Sequence, residues 1–169
     1  MSQSISTIVI TEQESTSELL KLYLEEFDGF SYLATVSDYS KAYNGIKELQ
    51  KALVIIDVSV YPEQALNFVS KISVEYPECR VVVLSDKPDV DLVIRAMRVG
   101  ASDFLALPII KKDFVEVLSK IYNDITGGKQ KKSKCRVITV YSNKGGVGKT
   151  SVATNLAYEL AKITKENVA

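Results

Sequence analysis

Two groups of residues in this 169-residue chain have types and spacing suited to chemistry. The first is "NKGGVGKTS", Asn143 to Ser151. Glycines at 145, 146 and 148 let backbone N–H groups turn inward around phosphate oxygens, and a helix starting just beyond them adds its positive dipole end. In such a loop Lys149 reaches the β- and γ-phosphates of a nucleotide, and the Thr150 hydroxyl ligates Mg²⁺. Gly145, Gly146, Val147, Gly148, Lys149, Thr150 and Ser151 are therefore the candidate nucleotide-binding residues. A glycine-rich turn without a ligand is the bland alternative, and it gives no reason for lysines on both sides of the glycines.

The second group stands where apolar runs end: Thr11 and Glu12, Asp57, Ser85 and Asp86, and Leu107 with Pro108. A carboxylate in the position of Asp57 accepts a phosphoryl group if Mg²⁺ and a cation neutralise the incoming oxygens. Without those partners it is a strand-end aspartate that hydrogen-bonds a neighbouring loop.

Both groups need rigid elements behind them. "STIVIT" (6–11), "SYLATV" (31–36), "ALVIIDV" (52–58), "RVVVLS" (80–85) and "DFLAL" (103–107) read as five short buried strands rich in Val and Ile. Helical spacing separates them. The first helix shows Leu19, Leu20, Tyr23, Leu24 and Phe27, with Ser15 and Glu18 at capping-box spacing. The second runs from about Asp38 to Leu49. The third opens at Pro62, a favourable first helical position. The fourth spans about 89–99 and stops at Gly100, and the fifth carries Phe114, Leu118, Ile121 and Ile125. Five βα units with strands buried on both faces predict an α/β doubly wound, flavodoxin-like parallel sheet of order 2-1-3-4-5. By area scaling such a domain buries roughly two-thirds of its unfolded surface, enough for an independent core. Beyond it, "RVITVY" (136–141) predicts a strand, and Val152, Leu156 and Leu160 predict a helix, on either side of the glycine-rich loop.

The formal charge of zero conceals an asymmetry. Residues 1–125 carry 12 Lys and Arg against 19 Asp and Glu, a net of −7, and residues 126–169 carry 9 against 2, a net of +7. The break falls at "TGGKQKKSK", giving a domain over 1–125, a basic linker over 126–135 and a nucleotide-loop segment over 136–169. A solvated lysine linker is the expected reading, so nucleic acid is not an expected partner. Cys79 and Cys135 stand outside any C-x-x-C pair, and with no histidine in the chain, His-based nucleophilic or metal chemistry is excluded. No integral membrane segment and no signal peptide are read, so the cytoplasm is the expected compartment.

The loop departs from G-x-x-x-x-G-K-[ST] at Asn143 and carries an additional Lys144. In this it resembles the deviant Walker A motif of the MinD/ParA ATPase superfamily, K-G-G-x-G-K-[ST]. That resemblance implies ATP and Mg²⁺ as cofactors, and a homodimer in which Lys144 acts as the catalytic lysine, reaching the partner's nucleotide. The aspartates such an ATPase uses for Mg²⁺ and water are not found in the chain. It therefore reads as an N-terminal piece of a longer protein, inactive in hydrolysis by itself.

Residues 5–125 resemble the receiver domain of response regulators, most clearly in "GASDFLALP" (100–108). The resemblance matches Asp57 to the phosphoacceptor, Glu12 to one of two Mg²⁺-orienting acids, Ser85 to the switch hydroxyl and Phe104 to the switch aromatic. Thr11 replaces the second acid and Leu107 replaces the lysine before the proline. Losing two charge partners together makes phosphorylation of Asp57 an unexpected event. What remains is surface, and Val90, Ile94, Met97 and Ile109 are the candidates for a pairing patch.

A receiver of this kind followed by a deviant Walker A loop resembles the TadZ/CpaE group of pilus-assembly proteins. The group's implied role is to localise Tad (Flp) pilus machinery at a cell pole, with pilus-assembly or polar-localisation proteins as partners. The competing readings are a phosphorylation-regulated response regulator with an ATPase output and a ParA-type DNA-partitioning ATPase.

Overall fold

The computed structural model describes residues 4–49, 51–126 and 138–164. The chain divides into two compact units, Met1–Gln130 and Lys131–Ala169. In the first, β-strands and helices alternate: β1 (Ile5–Ile10), α1 (Glu14–Glu25), β2 (Phe30–Val36), α2 (Tyr39–Leu49), β3 (Leu53–Asp57), α3 (Pro62–Glu75), β4 (Arg80–Ser85), α4 (Val90–Arg98), β5 (Asp103–Ala106) and α5 (Lys111–Ile125). All strand pairs are parallel and the sheet order is β2-β1-β3-β4-β5, as the sequence predicts.

Side-chain alternation splits the core into two layers. Ile8, Ile10, Val54, Ile56, Val81 and Val83 face Ala42, Ile46, Leu66, Val69, Ile72 and Ala96 of α2, α3 and α4. Val9, Leu53, Ile55, Val82 and Leu84 face Leu20, Leu24, Phe114, Leu118 and Ile121 of α1 and α5. Each fully buried Val, Leu, Ile or Phe side chain among them contributes about 1.5–3 kcal/mol by leaving water. The central strands β1, β3 and β4 are buried nearly throughout, so their exposed polar groups gather at the strand ends and the loops that follow.

Local signals in the first unit differ from expectation at two places. Helix α1 begins at Glu14 with Gln13 as its N-cap, so Ser15 and Glu18 lie inside the helix and form no capping box. The cause is Thr11, whose Oγ1 accepts the Gln13 N–H at 3.1 Å and turns the chain into the helix early. Ile109 is buried with the α1/α5 layer. It therefore leaves the proposed patch, while Ile110 stands exposed and Val90, Ile94 and Met97 remain so.

The second unit contains α6 (Lys149–Thr164). The strand expected over 136–141 is absent from its described part: residues 138–141 have no regular structure. No described strand pairs with them, and an extended segment without a neighbour has no ladder to join.

Candidate functional site

The carboxyl ends of β1, β3 and β4 bring Thr11, Asp57 and Ser85 to one edge of the sheet. Thr11 and Ser85 are buried, and Asp57 is half-buried. Both carboxylate oxygens of Asp57 are occupied. Thr11 Oγ1 donates to Oδ2 at 3.0 Å. Oδ1 accepts the Ser59 N–H at 2.9 Å and the Ser59 hydroxyl. Ser59 Oγ in turn accepts the Asp86 N–H at 3.1 Å. Ser85 Oγ accepts the N–H of Lys87, within its own loop, at 3.1 Å.

This set does not suit a resident Mg²⁺. That ion takes one or two carboxylates together with waters or phosphates in octahedral array. Here a threonine hydroxyl, acting as donor, occupies the side of Asp57 facing β1, and no cluster of three or more His, Cys, Asp or Glu occurs among the described residues. Glu12 is exposed beside a cleft of about 420 Å³ that it lines with Thr11, Gln13, Glu14, Ser17, Thr35 and Ser37. The floor of this cleft is already paired, with Ser17 Oγ and Thr35 Oγ1 2.6 Å apart and the Tyr32 hydroxyl donating to Thr35. Leu107 packs with the α1/α5 layer, so its position offers an apolar side chain and no cation. Phe104 is half-buried against the α2–α3–α4 layer.

Two residues near this edge were missed in the sequence. Ser59 was legible as the third residue of "DVS", since aspartate commonly accepts the N–H two residues on. Tyr39 opens α2 and stacks on Phe68 with centroids 5.0 Å apart. Burial pushes its phenol above the ordinary 10.0, and the charges of Glu12 and Asp57 push it further.

In the second unit, Gly146 (φ +73°) and Gly148 (φ +79°) adopt the left-handed backbone that glycine accepts without strain. A Cβ at 145, 146 or 148 would meet nothing within 4 Å, so the loop backbone is open to a ligand. The Lys149 ammonium folds back across the loop and donates to the Lys144 carbonyl at 2.9 Å. Lys149 and Thr150 form the first turn of α6. Val147 and Lys144 are exposed, and Ser151 follows on the same helix. Loop amides, a helix N-terminus and a short-range lysine together fit a phosphate-bearing ligand.

Comparison with known proteins gives two family matches: the response regulator receiver domain over residues 7–119 and an AAA domain over residues 135–168. The transcriptional regulatory protein MalR of Bacillus subtilis is 24% identical over 115 residues, covering 68% of this chain and 49% of MalR. The chain thus spans about half the length of the curated relatives it matches first. Among solved structures, a response regulator from Thermotoga maritima superimposes with a TM-score of 0.66 at 29% identity, covering 72% of this chain and 99% of that one. A protein of Burkholderia pseudomallei K96243 described as pilus assembly-related gives 0.64 at 18% identity, covering 72% and 92%. A CpaE protein of Burkholderia thailandensis E264, described as a pilus assembly protein, gives 0.62 at 19% identity, covering 69% and 97%. At those identities the two Burkholderia structures speak for the fold alone.

Proposed function

The chain belongs to the response regulator receiver family through residues 7–119, and from that premise we propose a receiver that has given up phosphoryl chemistry and serves, with a MinD/ParA-type nucleotide loop, to localise a Tad/Flp pilus assembly machine to a cell pole. In this reading the first unit targets or pairs the molecule in the cytoplasm. ATP and Mg²⁺ bound at the loop then drive association of two copies.

The observation that carries the reading is the hydrogen-bonded state of Asp57. Its Oδ2 is taken by Thr11 and its Oδ1 by Ser59, and Leu107, which the receiver resemblance matches to the family's lysine, is apolar and packs with the α1/α5 layer. Support for the second half comes from the AAA match over 135–168; the two Burkholderia proteins described as pilus assembly proteins share the receiver fold from which the reading starts. When nucleotide is bound, its phosphates supply the negative charge that the loop answers. The amides of Gly145, Gly146, Val147 and Gly148 with Lys149 would hold them, Thr150 would face Mg²⁺, Ser151 would follow in the first helical turn, and Lys144 would reach toward the second copy.

The test is light scattering on the protein in the full length its gene encodes, with and without Mg-ATP, beside Lys144→Ala. A mass that doubles with nucleotide and stays single in the variant is expected. A mass unaffected by nucleotide in both samples removes the ATP-driven pairing from the account.

A further inference from the structure

The hydrogen bonds around Asp57 do more than neutralise a carboxylate. They form one continuous chain across the loops that follow β1, β3 and β4: Gln13 N–H to Thr11 Oγ1, Thr11 Oγ1–H to Asp57 Oδ2, the Ser59 N–H and hydroxyl to Asp57 Oδ1, and Asp86 N–H to Ser59 Oγ. A serine hydroxyl has one proton to give and lone pairs to receive, so donating to Asp57 and accepting from Asp86 are compatible. Ser85 is not a link in this chain. Its buried hydroxyl serves Lys87, and among the described residues no hydrogen bond joins it to Asp57.

We propose that Ser59, and not Ser85, couples Asp57 to the β4–α4 loop and thereby sets the seat of helix α4. Only Lys87 and Pro88 separate Asp86 from Asp89, whose carboxylate caps α4 by accepting the Leu92 N–H at 2.7 Å. Proline restricts both itself and the residue before it, so little slack remains between the latch and the cap. Fixing the Asp86 amide therefore fixes the first turn of α4. It also fixes how Val90, Ile94 and Met97, all exposed, are presented to solvent. Ser59 is a positioning residue for that surface: the loop is held from the β3 side by a bond that needs no phosphoryl group. The inference rests on the reading that this receiver works through its surface.

The experiment is hydrogen–deuterium exchange on the 169-residue chain in wild type, Ser59→Ala, Ser59→Thr and Ser85→Ala. Opening of one latch should speed exchange at the Asp86 amide and at the Asp89-capped Leu92 amide by about tenfold in Ser59→Ala, because amides held by one local bond open independently of the core. Ser59→Thr, which keeps the hydroxyl, should restore the wild-type rate, and Ser85→Ala should leave the amides of Asp86 and Leu92 unchanged and affect at most the amide of Lys87. Amides of β3 and β4 should keep their wild-type protection in all variants. The proposal is overturned if Ser85→Ala reproduces the effect, if Ser59→Ala changes nothing, or if Ser59→Ala speeds β3 and β4 equally, which would make the serine a general stabiliser. Beryllofluoride with Mg²⁺ on wild type separates the two claims: a large thermal shift would sink the proposed function while leaving the exchange result standing.

Discussion

Thr11 donates its hydroxyl proton to Asp57 Oδ2 across 3.0 Å, tying the end of β1 to the end of β3. A carboxylate at position 11 could not make this bond at neutral pH, because both partners would be anionic acceptors. The Thr11→Asp variant should therefore be less stable than wild type in a chelating buffer, with like charges crowded at Asp57 and near Glu12. Mg²⁺ should recover part of the loss by bridging the carboxylates. Thermal melts with EDTA and with Mg²⁺ check this: the variant's Tm should respond to the cation and the wild type's should not.

Removing the donor altogether gives a smaller effect. Thr11→Ala should cost about 1 kcal/mol in urea denaturation, the usual net worth of a hydrogen bond whose other partner stays half-solvated. Asp57 retains Ser59, so the carboxylate is not left bare.

Asp38 provides the pH-dependent contribution. Its Oδ1 accepts the N–H of Ser40 at 2.6 Å and of Lys41 at 3.1 Å at the start of α2, and those bonds, that of Lys41 first, hold its carboxyl below the ordinary 3.8. A lowered pKa means that the folded state prefers the ionised form. The stabilisation is complete above 3.8 and is lost as pH falls through the folded value. Asp38→Ala should lower Tm by a few degrees at pH 7. The gap between variant and wild type should close on acidification below that range.

Gly100 closes α4 with φ +104°, and a Cβ there would come within 2.5 Å of Ser73 Oγ and 2.6 Å of Ser73 Cβ. The Ser73 hydroxyl also donates to the Gly100 carbonyl at 3.1 Å. Gly100→Ala meets both a disfavoured backbone and a clash, and should cost at least about 2 kcal/mol. Chemical denaturation of the variant measures it directly.

The sheet order was legible because Val and Ile recur in short runs separated by helical spacing, and β4 fell on Arg80–Ser85 as read. Pro62 and Gly100 marked a helix start and a helix end because each acts through its own backbone geometry. What escaped were features decided by distant partners. The Thr11–Asp57 bond joins residues 46 apart, and the Ser59–Asp86 bond joins residues 27 apart, so neither leaves a local pattern. The register of β2 skips Leu33, pairing Tyr32 with Thr7 and Ala34 with Ile8, and a single extra residue in an edge strand looks like any other in sequence. Residues 138–141 differ in the opposite sense: strand composition is present and, among the described residues, no neighbouring strand pairs with it. The glycine-rich loop before α6 was legible in residue type and placement, since glycine spacing and a following helix are local; Cys135 and the basic linker lie largely outside the described residues.

The central claim is that Asp57 is a structural carboxylate in a receiver fold, and thermal unfolding of the 169-residue chain with Mg²⁺ and beryllofluoride, a phosphoryl mimic, tests it most directly. The account predicts the same Tm with and without the mimic, in wild type and in Asp57→Asn alike. A rise of several degrees in wild type that disappears in Asp57→Asn would contradict it, and would return this chain to the phosphorylation-regulated receivers.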